Sequence, residues 1–286
     1  GVLIDRAADL VRVPAPTIEQ RVEALGAAMR LAANAGLTGV HDMGNDIDTI
    51  RAFRQMADAG LLQIRVYALV SSGSPAMEEA IQKGPQVALG KDGRLTIRAV
   101  KFYADGALGS RGAALEEPYS DDPKNRGLLL IEPEKLCSEM ERVAQAGLQP
   151  ATHAIADRGN RMVLDCVERL DSATRAKVRP RDEHTQVVRP QDIERFGKLG
   201  VIASMQPTHA TSDMPWAEDR VGPERIKGAY AWRSLKSAGA RLAFGSDFPV
   251  ESHRPLLGLY AAVTRQDASG KPEGGWFPDQ RLTLDE

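Results

Sequence analysis

Cysteine is almost absent. The only two, Cys137 and Cys166, fall in segments that read as helices, and neither belongs to a C-x-x-C pair. A disulfide framework is therefore not expected, and a reducing, cytoplasmic compartment is favoured. An excess of either charge is missing too, since 37 Lys+Arg stand against 39 Asp+Glu for a net charge of −2. That excludes a polybasic binder of nucleic acid or membrane as the default and favours a small-molecule substrate. No apolar run approaches the roughly 18–20 residues that a membrane-spanning helix needs. Glycine (26) and proline (17) are too few for a fibrous or disordered chain. What is present, 42% hydrophobic residues over 286 positions, suits one large soluble α/β domain.

Apolar strands and amphipathic helices alternate along the chain. The spacing of Ile18, Val22, Leu25, Met29 and Ala32 predicts a helix over 17–35, with Thr17 and Gln20 as a capping box and Gly36 as its stop. Further helices are predicted over 46–59, 75–83, 133–146, 159–171, 190–199, 224–238 and 256–266. Strands are predicted over 37–41, 64–69, 95–103, 149–154, 182–188, 201–206 and 241–245. Residues 104–131 are rich in Gly, Ser, Asp and Pro and read as a long loop, a feature that is often functional.

Short apolar strands separated by helices imply a parallel sheet with covered faces. A doubly wound open sheet and an eight-stranded barrel both fit. Polar residues recur past the C-terminal end of strand after strand: His41 and Asp42, Lys101 and Asp105, His153, His184, Gln206 to His209, and Asp247. An open sheet would gather such residues at one crevice, whereas a barrel draws them from nearly every strand end. The expectation is a TIM-type barrel in one domain over 1–286, carrying strands two to eight and lacking strand one.

A lone histidine at a strand end is more often a packed, hydrogen-bonded residue than a ligand. The group of His153, His184 and Asp247 shifts that balance. Two imidazoles and a carboxylate from different strand ends can share one divalent ion, with zinc the natural choice and an open position left for water. Asp247 is the carboxylate best suited to move a proton, although it can also cap a loop. Lys101 lies in an otherwise apolar strand, where an ammonium must be paired, for example with Asp105, or converted to a carbamate that can bridge metals. Arg111 in the long loop suits a substrate carboxylate or plain solvation. Asp157 and Arg158 follow His153 and suit a supporting role. His209 and Trp216 suit a substrate pocket, with packing as the alternative, most of all for the tryptophan.

Several phrases carry a family likeness. They are Gly36-Leu37-Thr38-Gly39-Val40-His41-Asp42, the run Lys101-Phe102-Tyr103-Ala104-Asp105-Gly106-Ala107-Leu108-Gly109-Ser110-Arg111, His153-Ala154-Ile155-Ala156-Asp157-Arg158, Glu183-His184, and Phe244-Gly245-Ser246-Asp247-Phe248-Pro249. With these the chain resembles the YtcJ-like branch of the amidohydrolase superfamily, metal-dependent hydrolases that include N-substituted formamide deformylases. The resemblance implies a distorted TIM barrel with an accessory β-sandwich, one or two divalent metals, and hydrolysis of amide-type C–N bonds other than peptide bonds. It implies Lys101, carboxylated, with His153, His184 and Asp247 as metal ligands, and Asp247 with His184 as the catalytic pair. Asp105, Arg111, His209 and Trp216 would then face the substrate.

The family pattern also has a His-x-His pair at the end of strand one, and no His-x-His occurs in this sequence. Residues 1–16 are expected to lead into the helix before strand two, and residues 280–286 to begin a further barrel helix. Strand one and the sandwich are expected to lie outside this chain, which leaves a silent fragment with a structural or binding role as the alternative to an active hydrolase. Hydrolysis of a cyclic amide, carbamate or ester is the enzymatic alternative. Open strand edges would favour a homodimer.

Overall fold

The computed structural model describes residues 13–286 together with residues 7, 10 and 11, so most of the leading stretch 1–12 lies outside the described residues. The chain forms two compact units. One comprises the residues up to Phe102 with Arg142–Pro150, and the other comprises Tyr103–Glu141 with Ala151–Glu286.

In the first unit, α1 (Ile18–Asn34) starts at the expected capping box. Thr17 Oγ1 accepts the Gln20 N–H, and the Gln20 side chain accepts the Thr17 N–H. Strand β1 (Gly39–Asn45) follows, then α2 (Ile47–Ala59), which is capped by Asp46 and stopped by Gly60 in the left-handed region. Next come β2 (Arg65–Ser71), α3 (Pro75–Lys83), β3 (Gln86–Leu89) and β4 (Leu95–Tyr103). β1 pairs with β2 and β2 with β4, both in parallel. Ile50, Phe53 and Met56 on one face of α2 are buried, as are Val66, Ala68 and Leu69 of β2.

β3 is a strand the periodicity does not announce. It is four residues long, partly exposed, and antiparallel to β4. Its turn back depends on Gly90, at φ +80°, where a Cβ would lie 2.5 Å from the Ala57 Cβ.

In the second unit, the long loop leads to α4 (Pro133–Gln145), β5 (Gln149–Ala154), α5 (Asp157–Glu168), α6 (Ser172–Val178), β6 (Arg181–His184), α7 (Pro190–Leu199) and β7 (Ile202–Met205). The boundary between the units falls within α4 and at the start of β5. Then follow α8 (Pro207–Asp213), α9 (Ala217–Arg225), α10 (Trp232–Ser237), β8 (Arg241–Phe244) and α11 (Pro255–Thr264). β5, β6, β7 and β8 pair in sequence, all in parallel. This is the strand–helix alternation that the sequence implied.

Three expectations are corrected. The segment 224–238 is not one helix, because α9 ends at Arg225, a 3-10 turn covers Ile226–Gly228, and extended Ala229 and Tyr230 at φ +49° interrupt the chain before α10. Helices α6 and α8, seven residues each, were not expected, being too short to show a periodicity. The two cysteines are not unpaired. Cys137 on α4 and Cys166 on α5 form a disulfide, because the helices flanking β5 bring their Cα atoms to 4.6 Å. Among the described residues, no helix is long and apolar enough to cross a membrane.

Candidate functional site

The second unit gathers its polar residues at the C-terminal ends of β5 to β8. The anchor is Asp105, just beyond β4, which is fully buried. Its carboxylate accepts three backbone N–H groups, from Ala114, Ile155 and Ala156, each at 2.9 Å. One side chain thus pins the loop at 105–114 to the end of β5. Gly159 faces it so closely that a Cβ there would lie 2.7 Å from Asp105 Oδ2. Burial raises the Asp105 carboxyl to about 7, against the pull of the three amides.

His153, near the end of β5, places Nε2 at 3.6 Å from Asp105 Oδ1 and 3.3 Å from the Gly106 carbonyl. His184 ends β6. It and Thr185 both take positive φ values, +80° and +46°, a strain that turns the backbone sharply at the strand end. His184 Nδ1 lies 2.9 Å from Gln206 Oε1, so Nδ1–H donates and Nε2 is the ring atom left for other chemistry. The His153 and His184 ring centroids are 4.5 Å apart, edge to face. The adjoining Glu183 is engaged by Arg181 in a buried two-pronged pair of 2.7 and 3.0 Å.

His209, on α8, stacks near His184 with ring centroids 5.9 Å apart. Its Nε2 is buried without a hydrogen bond and lies 4.0 Å from Asp247 Oδ2. Asp247 follows β8 on an exposed loop, at φ +54°. His153, His184, His209 and Asp247 therefore follow one another across the strand ends.

The structure also shows groups that the sequence did not flag. Asp213, at the end of α8, accepts the Tyr230 hydroxyl at 2.6 Å and the Gln186 amide at 3.0 Å, and burial raises its carboxyl. Tyr230 in turn offers its carbonyl to the buried Arg265 at 2.8 Å. Arg265 is sandwiched against Trp232 and Trp276, at 4.3 and 5.2 Å, and burial lowers its guanidinium to about 9. No local pattern marks these residues, because their partners lie far along the chain.

Arg111 is engaged by Asp121 through two contacts, at 3.1 and 2.9 Å. Arg220 also reaches Asp121 and covers the Trp216 ring at 5.5 Å. Trp216 lies against Gly109 and is half-buried. Lys101 belongs to β4 of the first unit and is 4% exposed.

A divalent ion needs several converging donors. Two adjacent imidazoles are suitable ligands in kind. Among the described residues, however, no three His, Cys, Asp or Glu side chains form a group that could hold a metal ion. The fit therefore extends to the His153–His184 pair.

Three comparisons place the chain. The pattern of the amidohydrolase family matches residues 1–286. A Bacillus subtilis (strain 168) protein, YtcJ, whose name places it among the amidohydrolases, is 35% identical over 277 residues, which is 94% of this chain and 50% of that protein. An N-substituted formamide deformylase of Arthrobacter pascens is 23% identical over 306 residues, covering 100% of this chain and 54% of that enzyme. Among solved structures, an uncharacterised metal-dependent hydrolase of Pyrococcus horikoshii OT3 superposes with a TM-score of 0.84 at 33% identity, covering 96% of this chain and 55% of that one. The chain thus spans about half the length of the curated relatives it matches. Its fold is the mostly parallel α/β arrangement of TIM-barrel metal-dependent hydrolases. By family pattern, sequence identity and fold together, the chain belongs to the amidohydrolase family.

Proposed function

We propose that the chain carries part of the catalytic end of a metal-dependent hydrolase that cleaves amide-type C–N bonds other than peptide bonds. The observation that carries this reading is the edge-to-face pair of His153 and His184, 4.5 Å apart at neighbouring strand ends. Family membership supports hydrolysis, and the deformylase relative supports the choice of an amide-type bond.

In this reading His153 and His184 would hold a divalent ion, zinc by donor chemistry, with Asp247 as the proposed carboxylate ligand beside them. When bound, the ion acidifies water and polarises a carbonyl. Asp247 Oδ2 takes the proton from the attacking water and delivers it to the leaving nitrogen. Gln206 keeps His184 in the Nδ1–H tautomer by accepting that proton's hydrogen bond. His209, with Nε2 unengaged, and Trp216 contact the substrate. Asp105 and Arg111 shape the substrate side by holding the loop, Asp105 through its three amides and Arg111 through Asp121. The substrate is a small molecule, and the chain assembles as a homodimer.

The test is elemental analysis of the purified chain, followed by hydrolysis assays on N-formyl and N-acyl amines for the wild type and Asp247→Asn. One or two bound divalent ions, their loss in the His153→Ala/His184→Ala double variant, and a fall in kcat of at least 100-fold with Asp247→Asn are expected. A chain that binds no divalent ion supports a silent fragment instead. An active chain unaffected by Asp247→Asn removes that residue from its role.

A further inference from the structure

A groove on the helical side of the second unit lies outside the site above. One wall is a stripe of α5, with Arg158, Met162 and Asp165 at helical spacing, followed by Arg169 at its C-cap. The start of α4 and the loop residue Leu129 form the other wall. The cavity measures about 280 Å³. Ligand cavities run from about 300 to 1,000 Å³, so only a compact ligand is accommodated.

The groove is built before any ligand arrives. The Cys137–Cys166 disulfide ties α4 to α5. Arg169 grips Glu134 through two contacts of 2.9 and 2.8 Å. A preformed cleft spares a ligand the cost of ordering its walls. The floor is apolar, since Met162 is 6% exposed and Cys137 is 2% exposed.

Three charged groups of the lining have ion-pair partners, and Arg195, which meets one of them, also holds Glu168 at 2.8 Å and Asp192 at 3.3 Å. Arg161 meets Glu116 at 3.4 Å, Asp165 meets Arg195 at 2.7 Å, and Arg169 is taken by Glu134. Among the described residues the exposed Arg158 guanidinium has no carboxylate partner. Its backbone is fixed, with the N–H shared by the Ala114 carbonyl at 3.1 Å and Asp157 Oδ1 at 2.9 Å. Arg158 stands in the first turn of α5, next to the acidic Asp157. An unpartnered guanidinium beside an apolar floor suits a negative charge on an apolar body. The planar guanidinium fork matches a carboxylate in two parallel hydrogen bonds.

We infer that this groove binds a compact amphipathic monocarboxylate, with its carboxylate on Arg158 and its apolar body over Met162 and Leu129. The probe is sodium octanoate, titrated calorimetrically into the full chain, with octan-1-ol and inorganic phosphate as controls. Saturable one-site binding of octanoate is expected, at least tenfold weaker in Arg158→Gln and in Leu129→Glu, and unchanged in His184→Ala. Both variants alter partly exposed side chains, and unchanged circular dichroism melts confirm that they remain folded. Octanol is expected to bind at least tenfold more weakly than octanoate, and phosphate not to compete. Absence of saturable binding overturns the inference, as does binding that Arg158→Gln leaves intact or that His184→Ala abolishes. Equal affinity for octanol overturns the role of the charge, and competition by phosphate overturns the choice of a carboxylate.

Discussion

Asp105→Asn tests the anchor of the site directly. The carboxylate accepts three backbone N–H groups at 2.9 Å, two on Oδ2 and one on Oδ1. An asparagine keeps one acceptor oxygen. Set at the Oδ2 position, it retains the Ala114 and Ala156 amides, and its NH₂ group then faces the Ile155 N–H. One hydrogen bond to a charged group is lost, worth about 1.5–3 kcal/mol, and two weaken toward the ~1 kcal/mol of neutral bonds. Relief of the buried charge offsets part of this, since burial holds the carboxyl at about 7. The expected net loss is about 2 kcal/mol, a sizeable share of the ~5–15 kcal/mol that holds a domain together. Urea unfolding followed by circular dichroism measures the loss. Hydrogen exchange localises it, with the Ile155 amide losing protection first. If Asp105→Asn is as stable as wild type and the Ile155 amide stays protected, the carboxylate is not the anchor and the reasoning fails. Asp105→Ala leaves all three amides without an acceptor and should cost more, at least about 3 kcal/mol.

Two further predictions concern the same unit. Asp157 accepts two N–H groups on Oδ1, from Glu116 and Arg158, and burial raises its carboxyl above 3.8. Between the ordinary and the raised value the folded chain holds the proton that the unfolded chain has released, so this group's contribution to stability falls as pH rises through that window. Asp157→Asn keeps the accepting oxygen and should flatten that part of the pH–stability curve in urea titrations, and an unchanged slope would count against the raised value. Removal of the Cys137–Cys166 cross-link, which spans a sequence separation of 29, should lower stability by about 3–4 kcal/mol through the freed unfolded chain. Cys137→Ser and Cys166→Ser should lower the melting temperature equally, and free-thiol titration of the native wild type should find no reactive cysteine.

The elements that a local rule governs were readable in advance. Strand β4 and helices α3 and α7 occupy the expected spans, because apolar runs, Pro75 and Pro190 at helix starts, and Gly200 at a helix end act within a few residues. Gln206 was expected as one of several strand-end polar residues, but its bond to His184 was not, because 22 residues separate them. The Gln186–Asp213–Tyr230 network was invisible for the same reason, with partners 17 to 44 residues apart. Arg111, open in sequence to a substrate role, is held by Asp121, a pairing that only the path of the loop creates.

By itself the sequence determined the strand–helix alternation, the run of polar residues at strand ends, and the phrases that mark the family. These follow from periodicity and residue type, which are local and survive without coordinates. Tertiary structure alone decided which polar groups meet: the disulfide, the three amides around Asp105, the adjacent imidazoles of His153 and His184, and the groove that Arg158 lines. Each of these depends on how parallel strands and their crossover helices bring distant segments side by side. Burial then sets the energetic scale, because a polar group removed from water must find its partner wherever the fold supplies one.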